Sequence, residues 1–259
     1  MRTTSNIYTA LTIAGSDSGG GAGIQADLRT FALAGVRGAS VITCLTAQNR
    51  TRVSRIEAVT RQIIRAQLEA VFAEAPPGAA KTGMLYSAEI VREVARFMRR
   101  SPKIPLVVDP VMISTSGRRL LQIEAVEVLK RELLPVAALV TPNRVEAEVL
   151  TGIKIETPED MRAAARLIYG AFGSAALVKG GHVEGTNEAI DILFDGTSEW
   201  MFSAPRARNV RLHGTGCTYS AAITAGLARG QSLSEAVSWG KQFVTEAIFS
   251  GVMSPALRL

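Results

Sequence analysis

The chain has 259 residues, of which 47% are hydrophobic and 20% charged, and its formal net charge is +6. These values are typical of an ordinary soluble globular protein with a sizeable core. Two cysteines exclude a disulfide framework, and four tyrosines and two tryptophans are too few for stacking on single-stranded nucleic acid. The basic balance favours small anionic substrates, and we expect no nucleic-acid partner.

The sequence carries no recognisable targeting or membrane segment. Residues 1–10 have no long apolar core, and Asp17 interrupts the apolar run that follows. We therefore expect neither a secretory signal nor a membrane span, and the few cysteines suit the reducing cytoplasm. Because no linker, repeat or low-complexity segment divides the chain, we expect a single domain over residues 1–259.

The chain begins as a strand, a glycine-rich turn and a helix. Residues 8–15 are apolar and β-branched, residues 15–23 contain five glycines, and residues 24–34 have helical periodicity. The segment Gly21-x-Gly23-x-x-Ala26 formally matches a dinucleotide fingerprint. That fingerprint requires an acidic residue about 20 positions further on, and residues 28–56 contain none. The pattern therefore excludes a Rossmann dehydrogenase.

The remainder alternates strands and helices. Strands are predicted at residues 39–47, 52–57, 79–85, 106–112, 137–143 and 175–182, with a hairpin at 189–204; helices are predicted at residues 60–73, 87–99, 122–133, 158–169, 217–228 and 234–250. This order predicts an α/β fold with a central, mostly parallel sheet and helices on both faces. Its site should lie at the carboxyl ends of the strands, where six polar, glycine or methionine residues fall: Gly15, Gln48, Met84, Asp109, Asn143 and Lys179.

Three of these residues suit metal or phosphate binding, although each has a simpler alternative. Asp109 ends an apolar run, as a metal ligand or a turn residue does. Asn143 and Glu146 are three residues apart, which fits two groups facing a hydrated Mg²⁺ and equally fits a helix capping box. Lys179 precedes two glycines and either reaches phosphate oxygens or is an exposed strand-end lysine.

The most informative stretch is residues 211–220, Arg-Leu-His-Gly-Thr-Gly-Cys-Thr-Tyr-Ser. Gly214, Thr215 and Gly216 precede an apolar helix, and the free N–H groups of a helix start attract a phosphate. Cys217 lies in the first helical turn, where the helix dipole should lower its thiol pKa. The alternative is a tight loop in which Cys217 is a buried small hydrophobic residue.

Seven motifs together resemble the hydroxymethylpyrimidine/phosphomethylpyrimidine kinase family of thiamine biosynthesis, within the ribokinase-like fold. The resemblance covers about residues 10–250. The motifs are residues Ala10–Leu28, Thr46–Asn49, Lys81–Met84, Val107–Met112, Thr141–Glu146, Lys179–His182 and His213–Thr218.

The resemblance implies ATP-dependent phosphorylation of 4-amino-5-hydroxymethyl-2-methylpyrimidine and then of its monophosphate, in a homodimer. It implies that the pyrimidine is surrounded by Gly15, Asp27, Gln48, Met84 and Val111. Asp27 and Gln48 have suitable acceptors and donors for an aminopyrimidine edge. It further implies that Lys179 meets the transferring phosphate and that Gly214, Thr215, Gly216 and Cys217 form an anion hole. Mg²⁺ would be organised, partly through water, by Asp109, Asn143 and Glu146.

Some features depart from the family or leave alternatives open. Most of the ribokinase-like fold has aspartate in place of Cys217, which is either a proton acceptor or an orienting thiol. The segments at residues 114–118 and 211–212 and the C-terminal tail differ from the family pattern. A pyridoxal kinase of the same branch is the main alternative, but such relatives have a hydrophobic residue in place of Gln48. A ligand-binding module without activity is disfavoured by the intact Asp109, Lys179 and Cys217, and no P-loop motif occurs.

Overall fold

The computed structural model describes residues 8–49, 51–101, 103–114, 117–181, 188–207 and 214–250. The strands are β1 (Thr9–Asp17), β2 (Arg37–Gln48), β3 (Val53–Ala58), β4 (Ala79–Thr82), β5 (Leu106–Val108), β6 (Leu139–Val140), β7 (Ala175–Lys179), β8 (Glu188–Phe194) and β9 (Glu199–Pro205). The helices are α1 (Gly23–Leu33), α2 (Arg61–Glu74), α3 (Ala88–Arg100), α4 (Ile123–Val128), α5 (Arg144–Thr151), α6 (Pro158–Phe172), α7 (Thr215–Ala228) and α8 (Leu233–Ser250). The helix α4 continues as a π-helical turn and a short 3₁₀ turn, Leu129–Leu133 and Leu134–Val136.

The strands form one sheet in the order β3-β2-β1-β4-β5-β6-β7-β8-β9. The central six strands, β2 to β7 in this order, are parallel, whereas β3, β8 and β9 pair antiparallel with their neighbours. The sheet is therefore mixed at its edges and parallel in its centre. The expected α/β architecture is confirmed, and so is the hairpin around Asp195 and Gly196.

Strand alternation places helices on both faces of the sheet. Leu106 and Val108 of β5 pack in one apolar cluster with residues of α2 to α6, whereas Val107 packs in another cluster with α7 and α8. A third cluster joins Ala10 of β1 to Phe31 of α1. Because a central strand is covered on both faces, its apolar run is continuous rather than alternating, which explains the strand signals read from the sequence.

The strand β5 is shorter than the predicted 106–112. The N–H of Asp109 donates to the Thr82 carbonyl at 3.2 Å, but Pro110 has no N–H and ends the pairing there. Val111 then takes a left-handed backbone conformation with φ of +35°. This conformation is strained for a β-branched residue, and such strain is often found at functional sites. The prediction of a strand through Met112 was therefore wrong.

Among the residues that the structure describes, no helix is long and apolar enough to cross a membrane. The carboxyl ends of β1, β2, β4, β5 and β7 open on the same edge of the sheet, where the loops that follow them meet the start of α7. This convergence positions the site described next.

Candidate active site

A cavity of about 410 Å³ lies at the carboxyl edge of the sheet. All thirteen residues singled out from the sequence line it: Gly15, Asp27, Gln48, Met84, Asp109, Val111, Asn143, Glu146, Lys179, Gly214, Thr215, Gly216 and Cys217. The structure therefore brings together side chains that are up to about 200 positions apart in the sequence.

Lys179 and Asp109 form an ion pair in the cavity wall. Lys179 Nζ lies 3.1 Å from Asp109 Oδ1, and the other carboxylate oxygen accepts a hydrogen bond of 3.1 Å from Ser220 Oγ. The Lys179 side chain is 13% exposed, which rules out the alternative of an exposed strand-end lysine. Burial disfavours its charge, but the carboxylates of Asp109 and Glu146 outweigh burial and raise the pKa of Lys179. Lys179 therefore remains a cation.

Asn143 and Glu146 form the capping box that the sequence allowed as an alternative. Asn143 Oδ1 accepts from the N–H of Glu146 at 3.0 Å, and Glu146 Oε2 accepts from the N–H of Asn143 at 2.9 Å. Glu146 Oε1 also accepts from the N–H of Met112 at 3.2 Å. Burial raises the pKa of Glu146, and the Lys179 ammonium opposes this shift.

The cavity residues fit a hydrated Mg²⁺ better than a directly ligated one. The described residues contain no group of three His, Cys, Asp or Glu side chains arranged to hold a metal ion. Asp109 and Glu146 nevertheless place two carboxylates beside the cavity, and their oxygens already accept protein hydrogen bonds. Mg²⁺ commonly keeps several waters and binds through one or two carboxylates and substrate phosphates, which suits this arrangement.

The first turn of α7 closes the cavity opposite Lys179. Gly214 has φ of +86°, and a Cβ atom there would lie 2.0 Å from the Gly21 carbonyl oxygen, so only glycine fits. A Cβ on Gly216 would lie 3.5 Å from Lys179 Nζ and 4.0 Å from Asp109 Oδ2. The first N–H groups of a helix have no partner within the helix. The helix start and the Lys179 ammonium therefore face one small space that suits a phosphate.

The expectation of a lowered thiol pKa for Cys217 is wrong. Burial raises the pKa of Cys217 to about 11; the Lys81 ammonium opposes this effect, and the carboxylates of Asp27 and Asp109 add to it. Desolvation thus outweighs the helix dipole. Cys217 is a protonated thiol near neutral pH.

The cavity wall beyond the end of β2 combines the Gln48 amide with the side chains of Met84 and Val111. Gln48 at the end of β2 accepts a hydrogen bond from Thr46 Oγ1 through its Oε1, at 3.3 Å. Met84 and Val111 line the same wall. A Cβ on Gly15 would lie 2.7 Å from Cys44 Sγ, so the chain needs glycine at this β-bulge to pass close to β2. This part of the cavity therefore combines apolar side chains with the Gln48 amide.

Asp27 lines the cavity, but protein partners hold its carboxylate. Its side chain is fully buried beneath the cavity floor, where Oδ1 pairs with Lys81 Nζ at 2.8 Å and Oδ2 accepts from Thr12 Oγ1 at 2.6 Å. Each carboxylate oxygen of Asp27 therefore already has one protein partner. Lys81 belonged to a motif, but the sequence assigned it no role.

The backbone N–H groups of the glycine-rich turn surround the carboxylate of Asp17. Asp17 accepts hydrogen bonds from the N–H groups of Gly19, Gly21 and Ala22 at 2.8 to 3.1 Å. A backbone nest of this kind binds phosphate in other proteins, but here the Asp17 carboxylate fills it. This occupancy gives a structural reason, beside the missing acidic residue, why the turn is not a dinucleotide-binding loop.

Sequence reasoning missed the residues that line the far end of the cavity. There Lys241 pairs with Asp191 at 2.7 Å, close to Tyr219 and Arg206. Asp191 belongs to β8, Arg206 follows β9, and Tyr219 and Lys241 belong to the last two helices. The hydrophobic patterns of these segments gave no sign of their polar contacts. The motif residues His182 and His213, the Arg211 and Leu212 departures and the tail at 251–259 lie outside the described residues.

The chain matches known proteins over nearly its whole length. The family described as Phosphomethylpyrimidine kinase matches residues 17–255. The hydroxymethylpyrimidine/phosphomethylpyrimidine kinase of Rhizobium meliloti is 50% identical over 92% of this chain and 90% of that protein. The thiamine biosynthesis bifunctional protein ThiED of Geobacter sulfurreducens is 48% identical over 93% of this chain, which spans only 49% of that longer protein.

Solved structures agree with this assignment. The phosphomethylpyrimidine kinase of Clostridium difficile 630 aligns with a TM-score of 0.83 at 46% identity, covering 93% of this chain and 99% of that one. The pyridoxal kinase of Staphylococcus aureus in complex with AMP-PCP and pyridoxal aligns with a TM-score of 0.85 at 34% identity, covering 94% and 88%. The expected ribokinase-like fold and the expected reaction class, phosphoryl transfer by a kinase, are confirmed. The chain belongs to the phosphomethylpyrimidine kinase family.

Proposed function

We propose that this cavity phosphorylates the hydroxymethyl group of 4-amino-5-hydroxymethyl-2-methylpyrimidine and then its monophosphate, with ATP as the donor. The observation that carries the proposal is the single cavity in which the Lys179 ammonium faces Gly216 at one end while Gln48 ends the other. Phosphoryl transfer needs mostly positioning and charge neutralisation, and this arrangement supplies both.

In this proposal the phosphate end consists of Lys179 and the start of α7. Lys179 neutralises charge on the transferring group, and its contact with Asp109 fixes the ammonium at the strand end. The backbone N–H groups from Gly214 to Cys217 form the anion hole. Arg206 lines the same cavity and donates to the Gly181 carbonyl at 2.9 Å, which places a second cation toward the nucleotide end.

The pyrimidine is proposed to lie in the slot formed by Gly15, Gln48, Met84 and Val111. The apolar walls fit an aromatic ring carrying a methyl group, and the Gln48 amide offers a donor and an acceptor to the aminopyrimidine edge. Asp27, whose carboxylate pairs with Lys81, lines the cavity and is proposed to lie beside the ring.

Mg²⁺ is proposed to be held by the nucleotide phosphates and, through water, by Asp109, Asn143 and Glu146. When bound, such an ion neutralises phosphate charge. The protein's own part is to place both carboxylates beside the cation of Lys179. Lys179 pairs with Asp109, and two backbone N–H groups hold the Glu146 carboxylate in place.

Cys217 is proposed to face the hydroxymethyl oxygen. Because burial raises the pKa of the Cys217 thiol to about 11, the sulfur has no negative charge near neutral pH with which to accept a proton. If Cys217 stays protonated throughout the reaction, its thiol only orients the substrate hydroxyl. The rate enhancement then comes mainly from neutralisation of phosphate charge by Lys179.

A substrate panel tests the proposed function. Purified enzyme with ATP and Mg²⁺ is given the pyrimidine, its monophosphate or pyridoxal, and ADP release is measured with a coupled assay. We expect kcat/KM to be highest for the two pyrimidines. Release of ADP only with pyridoxal, or with no substrate, contradicts the proposal.

Pyridoxal phosphorylation is the second candidate. The resemblance in fold to the Staphylococcus aureus pyridoxal kinase, which was solved with pyridoxal, favours a side activity. Gln48 favours the pyrimidine as the main substrate. A homodimer and a cytoplasmic location also remain predictions, which sedimentation analysis of the purified protein and fractionation of the source cells test respectively.

A further inference from the structure

A short hairpin follows the strained turn at Val111. Residues 112–114 and 117–120, which we call the flap, form its two arms, and Ile113 lies opposite Arg119 in an antiparallel bridge. Each arm donates a backbone N–H to a carbonyl of the other arm, at 2.8 and 2.9 Å. The flap is therefore a hydrogen-bonded element rather than an irregular loop.

The flap forms part of the cavity wall. Ile113, Ser114 and Leu120 all line the cavity. Leu120 packs in one apolar cluster with Met84, and Val111 packs against that cluster. Because Met84 and Val111 belong to the proposed pyrimidine slot, the flap is continuous with the wall of that slot. Ile113 is apolar and yet 43% exposed, so it offers surface that a bound ligand would cover.

One side chain of the flap reaches the edge strand of the sheet. Arg118 Nη1 donates to the carbonyl of Val53 at 2.6 Å and to the carbonyl of Ser54 at 3.3 Å, both on β3. Between residues that the structure describes, no other hydrogen bond joins the flap to β3. Apolar packing of Leu120 in the same cluster as Val53 completes this contact. Arg118 therefore supplies the polar tie between the flap and the sheet.

Neither charge pairing nor burial accounts for the position of Arg118. The residue is exposed, and its guanidinium forms no ion pair with any residue in the described part of the chain. A long side chain loses conformational freedom when it is held in one geometry, and the hydrogen bonds to β3 offset that loss. Without Arg118 the flap would keep its own hydrogen bonds and the packing of Leu120, but it would lose its hydrogen bonds to the sheet.

We propose that Arg118 is a positioning residue that holds the flap against β3, so that this part of the cavity wall is in place before the substrate binds. It acts through Ile113 and Leu120 rather than by contact with the substrate. A site that is formed in advance binds more tightly, because the ordering of the wall is not charged against binding. The identity of the substrate rests on the proposed function, whereas the effect of Arg118 on the flap does not. Arg118 also lies in the segment at residues 114–118 that differs from the family pattern.

The base of the flap is held separately from Arg118. The N–H of Met112 donates to Glu146 Oε1 at 3.2 Å. Loss of Arg118 should therefore free the far arm of the flap and leave the phosphate end, where Lys179 faces Gly216, unchanged. The apparent affinity for the pyrimidine then falls in proportion to the fraction of enzyme whose flap is in place. We expect an effect on the KM of the pyrimidine without a matching effect on kcat.

The first test needs no substrate. Amide hydrogen exchange of the peptide that covers the flap is measured for the parent enzyme, Arg118→Ala and Arg119→Ala. Arg119 is the matched control, because it is the next residue of the flap and is also exposed, and its side chain makes no hydrogen bond or ion pair with the described residues. We expect exchange in the flap to be roughly tenfold faster or more in Arg118→Ala and close to the parent rate in Arg119→Ala. Equal exchange in Arg118→Ala and the parent enzyme, or an equal increase in both variants, overturns the proposal.

The second test is kinetic and uses the same variants. Arg118→Ala should raise the KM of the pyrimidine and of its monophosphate by roughly threefold to tenfold, with kcat and the KM of ATP close to the parent values. Arg119→Ala should leave all these values close to those of the parent enzyme. A rise for the monophosphate alone would mean that Arg118 binds the substrate phosphate directly. A lower Tm together with losses of kcat and ATP affinity would mark a merely structural role. Either result overturns the proposal.

A conservative variant and the parent enzyme complete the experiment. Arg118→Lys keeps the charge but lacks the planar fork of the guanidinium, so its flap exchange and KM should lie between those of the parent enzyme and Arg118→Ala. It also serves as the test variant if Arg118→Ala does not fold. Faster flap exchange with an unchanged KM would show that the flap does not shape the slot, which overturns the proposal. If the parent enzyme does not phosphorylate the pyrimidine, the proposed function fails, but the exchange measurement still decides whether Arg118 holds the flap.

Discussion

Gln48 is the residue on which the choice of substrate depends. It lies at the end of β2 with its side-chain oxygen 3.3 Å from Thr46 Oγ1, and it lines the same cavity as Met84 and Val111. A buried amide or ring nitrogen left without its partner costs about 1–3 kcal/mol. We therefore expect Gln48→Met to lower kcat/KM for the pyrimidine roughly tenfold or more, with little change for pyridoxal. Equal losses on both substrates would show that Gln48 only shapes the cavity.

Lys179 is expected to act on the phosphate and only weakly on the fold. Lys179→Ala should lower kcat roughly a hundredfold or more, since charge stabilisation at a transferring group is worth several kcal/mol. Asp109 keeps its hydrogen bonds from Ser220 and Thr141, which limits the loss of stability. Lys179→Arg, which keeps the charge, should retain more activity than Lys179→Ala. A large fall in Tm with near-normal kcat would instead make Lys179 a structural residue.

Substitutions of Cys217 distinguish the contribution of proton transfer from the contribution of charge neutralisation. Cys217→Ser should lose most of kcat if the sulfur accepts the proton, because a serine hydroxyl is a much weaker acid than a thiol. The backbone N–H groups of α7 are unchanged, so nucleotide affinity should be retained. Cys217→Asp should restore part of the rate. Near-normal kcat in Cys217→Ser would leave Lys179 and the helix start as the catalytic apparatus.

At the level of elements, the start of α7 depends on one close contact between two loops. Gly214 combines φ of +86° with a Cβ position 2.0 Å from the Gly21 carbonyl oxygen. Gly230, just beyond the other end of α7, has φ of +84° but no atom within 4 Å of its Cβ position. Gly230→Ala should therefore cost only the left-handed backbone penalty of about 1–2 kcal/mol.

Gly214→Ala should cost clearly more, because the two loops must also separate. We expect a larger fall in Tm than for Gly230→Ala and a loss of kcat from displacement of the anion hole. Comparison of Tm and kcat for the two variants checks this expectation. Equal effects of the two substitutions would mean that the contact with Gly21 does not position the helix start.

Local patterns predicted the elements well and their polar contacts less well. The apolar runs around Ile13, Val108 and Val178 predicted central strands because burial on both faces leaves a continuous apolar sequence. The end of β5 was misplaced because Pro110 removes an N–H that the hydrophobic pattern does not register. The Asp27–Lys81 pair was not predicted, since it joins two elements that only the folded sheet brings together.

At the scale of the whole molecule, two successive phosphorylations are expected to take place in one cavity. The cavity contains one phosphate end, where Lys179 and Gly216 face each other, and one aromatic slot next to Gln48. Both steps must therefore use the same cation and the same helix start. Substitution at this end should affect the two steps together, whereas independent sites would lose them separately.

The most direct measurement follows the products formed from the pyrimidine with ATP and Mg²⁺ by mass spectrometry, for the parent enzyme and for Lys179→Ala. We expect the parent enzyme to form the monophosphate and then the diphosphate, and we expect Lys179→Ala to lose both steps to a similar extent. Retention of either step at the parent rate in Lys179→Ala, or failure of the parent enzyme to phosphorylate the pyrimidine, would contradict this expectation.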